Sequence, residues 1–95
     1  MTENINRKAA DDMEEVLRNF IVENFLPSAG LDAFENDDSF MEKGIIDSTG
    51  ILELLEFIEE TFNIRVEDEE VIPDNLDSLN KLKSFINRKI AKKKA

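Results

Sequence analysis

Between Ser48 and Phe62 the apolar residues recur at helical spacing, and this stretch constrains the fold more than any other part of the chain. Placed at about 100° per residue, Ile51, Leu55, Ile58 and Phe62 form one stripe, with Thr49, Glu53, Glu56 and Glu60 opposite. Leu54 flanks the apolar stripe, while Leu52 and Phe57 lean toward the acidic side. A helix with one oily face needs other faces to bury it, and the sequence offers two. Met13, Val16, Leu17, Phe20, Ile21 and Phe25 mark a first helix, opened by the capping-box pair Asp11 and Glu14 and closed before Pro27. Leu79, Leu82, Phe85, Ile86 and Ile90 mark a last one, capped by Asp77 or Ser78. The expected fold is all-α, a small bundle of three to four helices. Its core should include Val16, Leu17, Phe20, Leu55, Ile58, Phe62, Leu79, Leu82 and Phe85.

The segments between these helices are of two kinds. Residues 28–47 have no sustained period and hold two glycines, scattered acids and isolated apolar side chains such as Leu31, Phe34, Phe40, Ile45 and Ile46. They read as a loop of about twenty residues pinned to the core by those side chains, and loops this long in small domains are usually functional or disordered. After Asn63, Ile64-Arg65-Val66 reads as an extended connector, and Glu67 to Val71 offers at most one short helical turn before Pro73. A single domain over residues 1–95 follows, with its compact part at about residues 10–90 and fraying expected at 1–9 and 91–95.

The residue inventory narrows the chemistry. The 95 residues include no Cys and no His, which excludes disulfides, zinc sites of the usual ligand type, Cys or His nucleophiles and imidazole bases. Any thiol chemistry must therefore come from an attached group. Nor is there a run of the roughly 18 apolar residues needed to span a membrane or an apolar leader, so the expected location is the cytoplasm. All 22 acidic residues lie between Glu3 and Asp77; against five basic ones they give residues 1–80 a net charge of −17, whereas residues 81–95 carry +7. Such an acidic body repels nucleic acid and anionic lipid and attracts proteins with basic patches. The Lys92-Lys93-Lys94 tail reads as a solvated helix end or as a source of charge pairing.

The segment Gly44-Ile45-Ile46-Asp47-Ser48-Thr49-Gly50 places a serine at the mouth of the acidic helix, directly after the long loop. Asp47 or Ser48 reads most simply as an N-cap, since these residue types dominate that position. A hydroxyl there is also exposed, and a phosphodiester built on it would sit at the positive end of the helix dipole. Gly50, in the first turn, costs about 0.5–1 kcal/mol against Ala and is expected to leave that turn mobile.

An ordered set of features surrounds this serine. Asp47-Ser48 opens the helix, followed by Leu52-Glu53-Leu54 and by Glu59-Glu60 before Phe62. The connector residues Ile64 and Val66, the acidic cluster Asp68-Glu69-Glu70 and the helix-opening Ser78-Leu79 come next. From Val16 to Arg88 this order resembles the acyl carrier protein family. The resemblance implies a helical bundle of acyl-carrier type that is a substrate of other enzymes and not itself an enzyme. It implies that Ser48 receives 4′-phosphopantetheine from coenzyme A and that Asp47 helps a holo-carrier synthase, a phosphopantetheinyl transferase, to hold Mg²⁺. Docking to basic partner enzymes is implied for Glu53, Glu59 and Glu60. The helix agrees in its own terms, with five acids and no base between Gly44 and Ile64. The expected partner-binding set is Thr49, Leu52, Glu53, Glu56, Phe57, Glu59 and Glu60. Phe57 reads either as an aromatic beside the docking acids or as packing on the long loop at Phe34 or Phe40. Thr49 and Gly50 depart from the family, whose fatty-acid carriers have a large apolar residue and then an acid after the serine. That departure favours a specialised carrier with its own loading ligase.

The implied partners are the transferase, an acyl- or aminoacyl-loading ligase, and acyltransferases or synthases with basic docking patches, meeting a monomeric carrier in fatty-acid or lipid biosynthesis. The segment Pro73-Asp74-Asn75-Leu76-Asp77-Ser78 also resembles stand-alone carriers that receive amino acids from an adenylating ligase. Two further readings are an unmodified acidic interaction module, with Ser48 only a cap, and a calcium-binding protein. Calcium is set aside because no stretch matches Asp-x-Asp-x-Asp-Gly with Glu at the twelfth loop position.

Overall fold

A computed structural model describes residues 4–30 and 32–94, with side chains placed for residues 12–30 and 32–93. Its four α-helices are α1 (Asn4–Phe25), α2 (Ser48–Phe62), α3 (Pro73–Leu76) and α4 (Leu79–Lys94), with a 3-10 turn at Asp68–Glu70. No strand occurs among the described residues, so the all-α expectation holds.

Helix boundaries follow local chemistry, with one correction and one addition. α1 begins at Asn4, so Asp11 lies inside the helix and not at its start. Residues 4–10 contain no Gly or Pro and end in Lys8-Ala9-Ala10, all good helix formers, so nothing in the chain stops the helix at Asp11. The short helical turn expected between Glu67 and Val71 is a 3-10 turn at Asp68–Glu70, and a further short helix, α3, begins at Pro73. Proline at the first helical position has a preset φ and lacks only an N–H that would be orphaned anyway. α2 ends on Asn63 in the left-handed conformation, φ 56° and ψ 49°, whose N–H donates to the Glu59 carbonyl. Ser78 caps α4, its hydroxyl accepting from the Lys81 N–H at 3.1 Å.

The core lies between α1, α2 and α4. Leu17 and Ile21 from α1, Leu54 and Ile58 from α2, and Leu79, Leu82, Phe85 and Ile86 from α4 are sealed from solvent, each at most 1% exposed. Of the expected core residues, Phe20, Leu55 and Phe62 are partly buried against this centre. Val16 is a correction, since at 36% exposure it lies one position off the Leu17–Ile21 line. α2 is also rotated relative to the expected stripe, for its buried line is Gly50, Leu54 and Ile58. Leu54 is central and Leu55 is at the margin.

The long loop is ordered by apolar anchors and by polar ties to α1 and α4. Phe34, Phe40 and Ile46 are buried; Leu31 lies outside the described residues. Arg18 of α1 donates to the Phe34 carbonyl at 2.7 Å and to the Asn36 side chain, and its guanidinium sits 4.4 Å from the Phe34 ring centre. At the other end the Phe40 N–H donates to the Asp77 carbonyl and the Asn80 N–H to the Asn36 carbonyl, both at 3.0 Å. The Asp77 carboxylate accepts from the Ser39 hydroxyl and, at 3.0 Å, from the Met41 N–H.

Candidate modification site

Asp47 is the N-cap of α2. Its backbone is extended, φ −100° and ψ −175°, and its Oδ1 accepts from the Gly50 N–H at 2.8 Å, while its carbonyl accepts from the Ile51 N–H at 3.0 Å. The capping role is thus filled without Ser48. That serine is the first helical residue, is exposed, and its hydroxyl makes no hydrogen bond among the described residues. Its hydroxyl stands beside the partial positive charge of the helix N-terminus, where a phosphodiester is favoured.

Gly50 also has a packing role. It is buried, and a Cβ built there would meet Phe25 Cε1 at 2.7 Å and Ile46 Cγ2 at 3.0 Å. The glycine lets the end of α1 and the end of the loop close onto the first turn of α2. That packing holds the backbone beneath Ser48.

A groove of about 310 Å³ opens beside the serine, which is among its lining residues. Its apolar walls come from three elements: Met41 of the loop, Ile51 and Leu52 of α2, and Ile72 and Leu76 beyond the 3-10 turn. Met41 is 54% exposed, Leu52 64% and Ile72 43%, so large apolar side chains cluster around one hydroxyl on a surface otherwise rich in acids. Of these, sequence reasoning found Leu52. Met41, Ile72 and Leu76 lie off the helical stripes, and the available signal was that Met41 and Ile72 are large apolar residues in segments with no face to bury.

The expected docking residues separate into two groups. Thr49, Glu53, Glu56 and Glu60 are exposed on α2, and Ser48, Leu52 and Glu56 follow one another at one-turn intervals along one side. Glu59 is half-buried, and its carboxylate accepts from the Val66 N–H at 2.8 Å, tying the connector to α2. Phe57 does not pack on Phe34 or Phe40. It stacks on Phe20 of α1 with centroids 4.0 Å apart and planes 13° apart, and Phe20 in turn meets Phe25 edge-on at 6.0 Å. The aromatic is half-buried on the flank of α2 away from the groove.

Ion pairs complete the frame. Lys83 of α4 bonds Glu14 of α1 at 2.7 Å, and Lys89 bonds Glu70 at 2.8 Å. The Lys83 hydrogen bond holds the Glu14 carboxyl below its ordinary range, and the Lys89 bond does the same for Glu70, helped by the Glu67 N–H. In the basic tail, Lys93 donates to the Asn63 carbonyl, while the Lys94 side chain lies outside the described residues. No group of three or more His, Cys, Asp or Glu among the described residues could hold a metal ion, and no described helix is long and apolar enough to cross a membrane.

No family model and no curated relative matches the chain. A solved structure does, that of the peptidyl carrier protein KstB-PCP in its apo form, with a TM-score of 0.64 and 30% sequence identity over 75% of this chain and 78% of that one. Identity at that level, over most of both chains, shows the family: the chain belongs to the carrier proteins.

Proposed function

We propose that this chain carries 4′-phosphopantetheine on Ser48 and presents a thioester-bound acyl group to partner enzymes, as a specialised acyl carrier. The observation that carries the proposal is the uncommitted Ser48 hydroxyl, on a helix capped by its neighbour Asp47 and beside an apolar groove. The residues present fit the group. Ser48 Oγ can form the phosphodiester without breaking any internal bond, and the first-turn N–H groups face the new charge. Asp47 Oδ1 holds the cap, and its second carboxylate oxygen makes no bond among the described residues, which suits contact with a transferase-bound Mg²⁺. When attached, the group supplies the thiol that a chain without cysteine lacks.

The chain's own contribution is placement. Ile51, Leu52, Ile72 and Leu76 offer an apolar surface that withdraws cargo from water. Glu53, Glu56 and Glu60 steer cationic partner surfaces toward that end of α2 by long-range attraction. The reading is of a non-catalytic carrier whose partners are a phosphopantetheinyl transferase, a loading ligase and enzymes with basic docking patches. An aminoacyl or peptidyl cargo is a second reading, supported by the likeness to KstB-PCP.

Incubation with coenzyme A, Mg²⁺ and a broad-specificity phosphopantetheinyl transferase should add one prosthetic group by intact mass, and Ser48→Ala should abolish the gain. No gain with several transferases would overturn the reading and leave an unmodified interaction module. Offering the holo form to acyl- and aminoacyl-loading ligases, and weighing the adducts, separates the two cargo classes.

A further inference from the structure

The exposed side of α4 carries charge opposite to that of α2. No acid occurs in Leu79–Lys94, and at about 100° per residue Lys81, Arg88 and Lys92 fall within a sector of about 40°. All three are exposed. Other described α4 cations are already committed, Lys83 to Glu14 at 2.7 Å, Lys89 to Glu70 at 2.8 Å and Lys93 to the Asn63 carbonyl. By contrast, the side chains of Lys81 and Lys92 make no hydrogen bond or close ion pair among the described residues, and Arg88 donates only to the neutral Asn75 Oδ1, at 2.9 Å. Beside the stripe a cavity of about 530 Å³ is bounded by Asn75, Arg88 and Lys92, with Phe85 and Ala91 supplying apolar wall. Its single acid, Glu70, is the one that Lys89 neutralises. None of these residues lines the groove beside Ser48.

We propose that this stripe and cavity dock an extended acidic segment of a partner protein, its carboxylates on Lys81, Arg88 and Lys92 and one apolar side chain in the cavity. The spacing matches an extended chain. Arg88 and Lys92 lie one helical turn apart, about 6 Å along the axis, close to the roughly 6.6 Å between successive side chains on one face of a strand. Lys81 lengthens the stripe to about 17 Å, beyond the reach of a single phosphate or carboxylate. Arg88 spends one donor on Asn75, which leaves others for a carboxylate. The patch is also small. A membrane or a nucleic acid would have to lie across the surrounding acids of a chain with net charge −10, whereas a short segment on the stripe responds mainly to charges within a Debye length of about 8 Å. A partner held here would leave Ser48 and the acids of α2 free.

The test is an NMR titration of the full unmodified chain, at low salt, with a short capped peptide of Glu and Asp around a central Leu. Resonances of the α4 amides near Arg88 and Lys92 and of the Asn75 side chain should shift, with the amides of Leu54 and Ile58 in α2 unmoved. Affinity should fall about tenfold in the double variant Arg88→Gln, Lys92→Gln, the loss expected for two exposed charge pairs. Lys92→Gln alone, which breaks no internal bond, should cost about threefold. Lys83→Gln, whose cation is already bound to Glu14, should bind as the parent does. Replacing the peptide's Leu by Ser should weaken binding by leaving the cavity unfilled, and added salt should weaken it further. No shift in α4, equal loss in Lys83→Gln, or equal binding of the Ser peptide or of a peptide with Lys for each acid would overturn the docking surface. So would the same shifts from inorganic phosphate at matched concentration, or tighter binding to phosphatidylglycerol vesicles, which point to a small-anion site or to a lipid surface instead. Ser48 plays no part in the titration, so failure of its modification leaves this result standing.

Discussion

Replacing Gly50 by Ala separates two opposite expectations. Helix propensity alone favours Ala over Gly by about 0.5–1 kcal/mol in a helix, so an isolated reading of α2 predicts a stabilised protein. The fold predicts the reverse, because the added methyl would stand 2.7 Å from Phe25 Cε1, 3.0 Å from Ile46 Cγ2 and 3.3 Å from Phe25 Cζ. Ile46 is buried and Phe25 is braced edge-on against Phe20, so relief requires repacking the aromatic group at the end of α1. Overpacking of this kind costs about 1–3 kcal/mol, and less the propensity gain it leaves a net loss of about 1 kcal/mol. In a domain of this size that lowers Tm by roughly 4–8 °C. Urea and thermal unfolding followed by far-ultraviolet circular dichroism measure it directly. The same substitution in a Phe25→Leu background, where the clashing ring edge is gone, should be neutral or stabilising. A Gly50→Ala protein more stable than its parent would refute the close-packed reading of this turn.

Asp47→Ala should destabilise the protein by about 0.5–2 kcal/mol through loss of the cap, while Ser48→Ala should change stability by less than about 0.5 kcal/mol, both read from urea midpoints. Reversing Glu53 and Glu60 to Lys should slow modification by a holo-carrier synthase mainly through the association rate, with an effect that fades as salt rises; equal rates at low salt would reduce these acids to a solvated face. The Glu70 carboxyl is held below its ordinary value of 4.5, so its stabilising contribution is complete above that range and is lost as pH falls through the lower folded value. The stability difference between the parent and Glu70→Gln should accordingly be present at pH 7 and vanish in strong acid.

The parts legible in the sequence were those with local causes. Asp47 at the mouth of α2, the three long amphipathic helices and the aromatic pins of the loop each announce themselves within a few residues. The rotation of α2 did not, because Gly50 has no side chain to register as apolar although it lies on the buried line with Leu54 and Ile58. A pattern of apolar side chains therefore centred the face one position too far, on Leu55. The neighbour of Phe57 is hidden for a related reason: its partner Phe20 is set by how α1 crosses α2, which no single segment encodes. Glu59 looked like one acid among several until the fold brought the Val66 N–H to it. The groove was hidden most completely, since its walls come from three separate elements.

The bonds from Asp77 and Asn80 to the loop also order events during synthesis. Met41, at the lip beside Ser48, is fixed by a carboxylate 36 residues downstream, and Asn36 bonds Asn80, which comes later still. Closing such long-range contacts requires both partners to exist, and loop entropy opposes them until they form together. A growing chain thus displays its serine well before it owns the surroundings of that serine. An enzyme that reads only Asp47 and the acids of α2 could act on the nascent protein, whereas one that reads the lip must wait until α4 has left the ribosome.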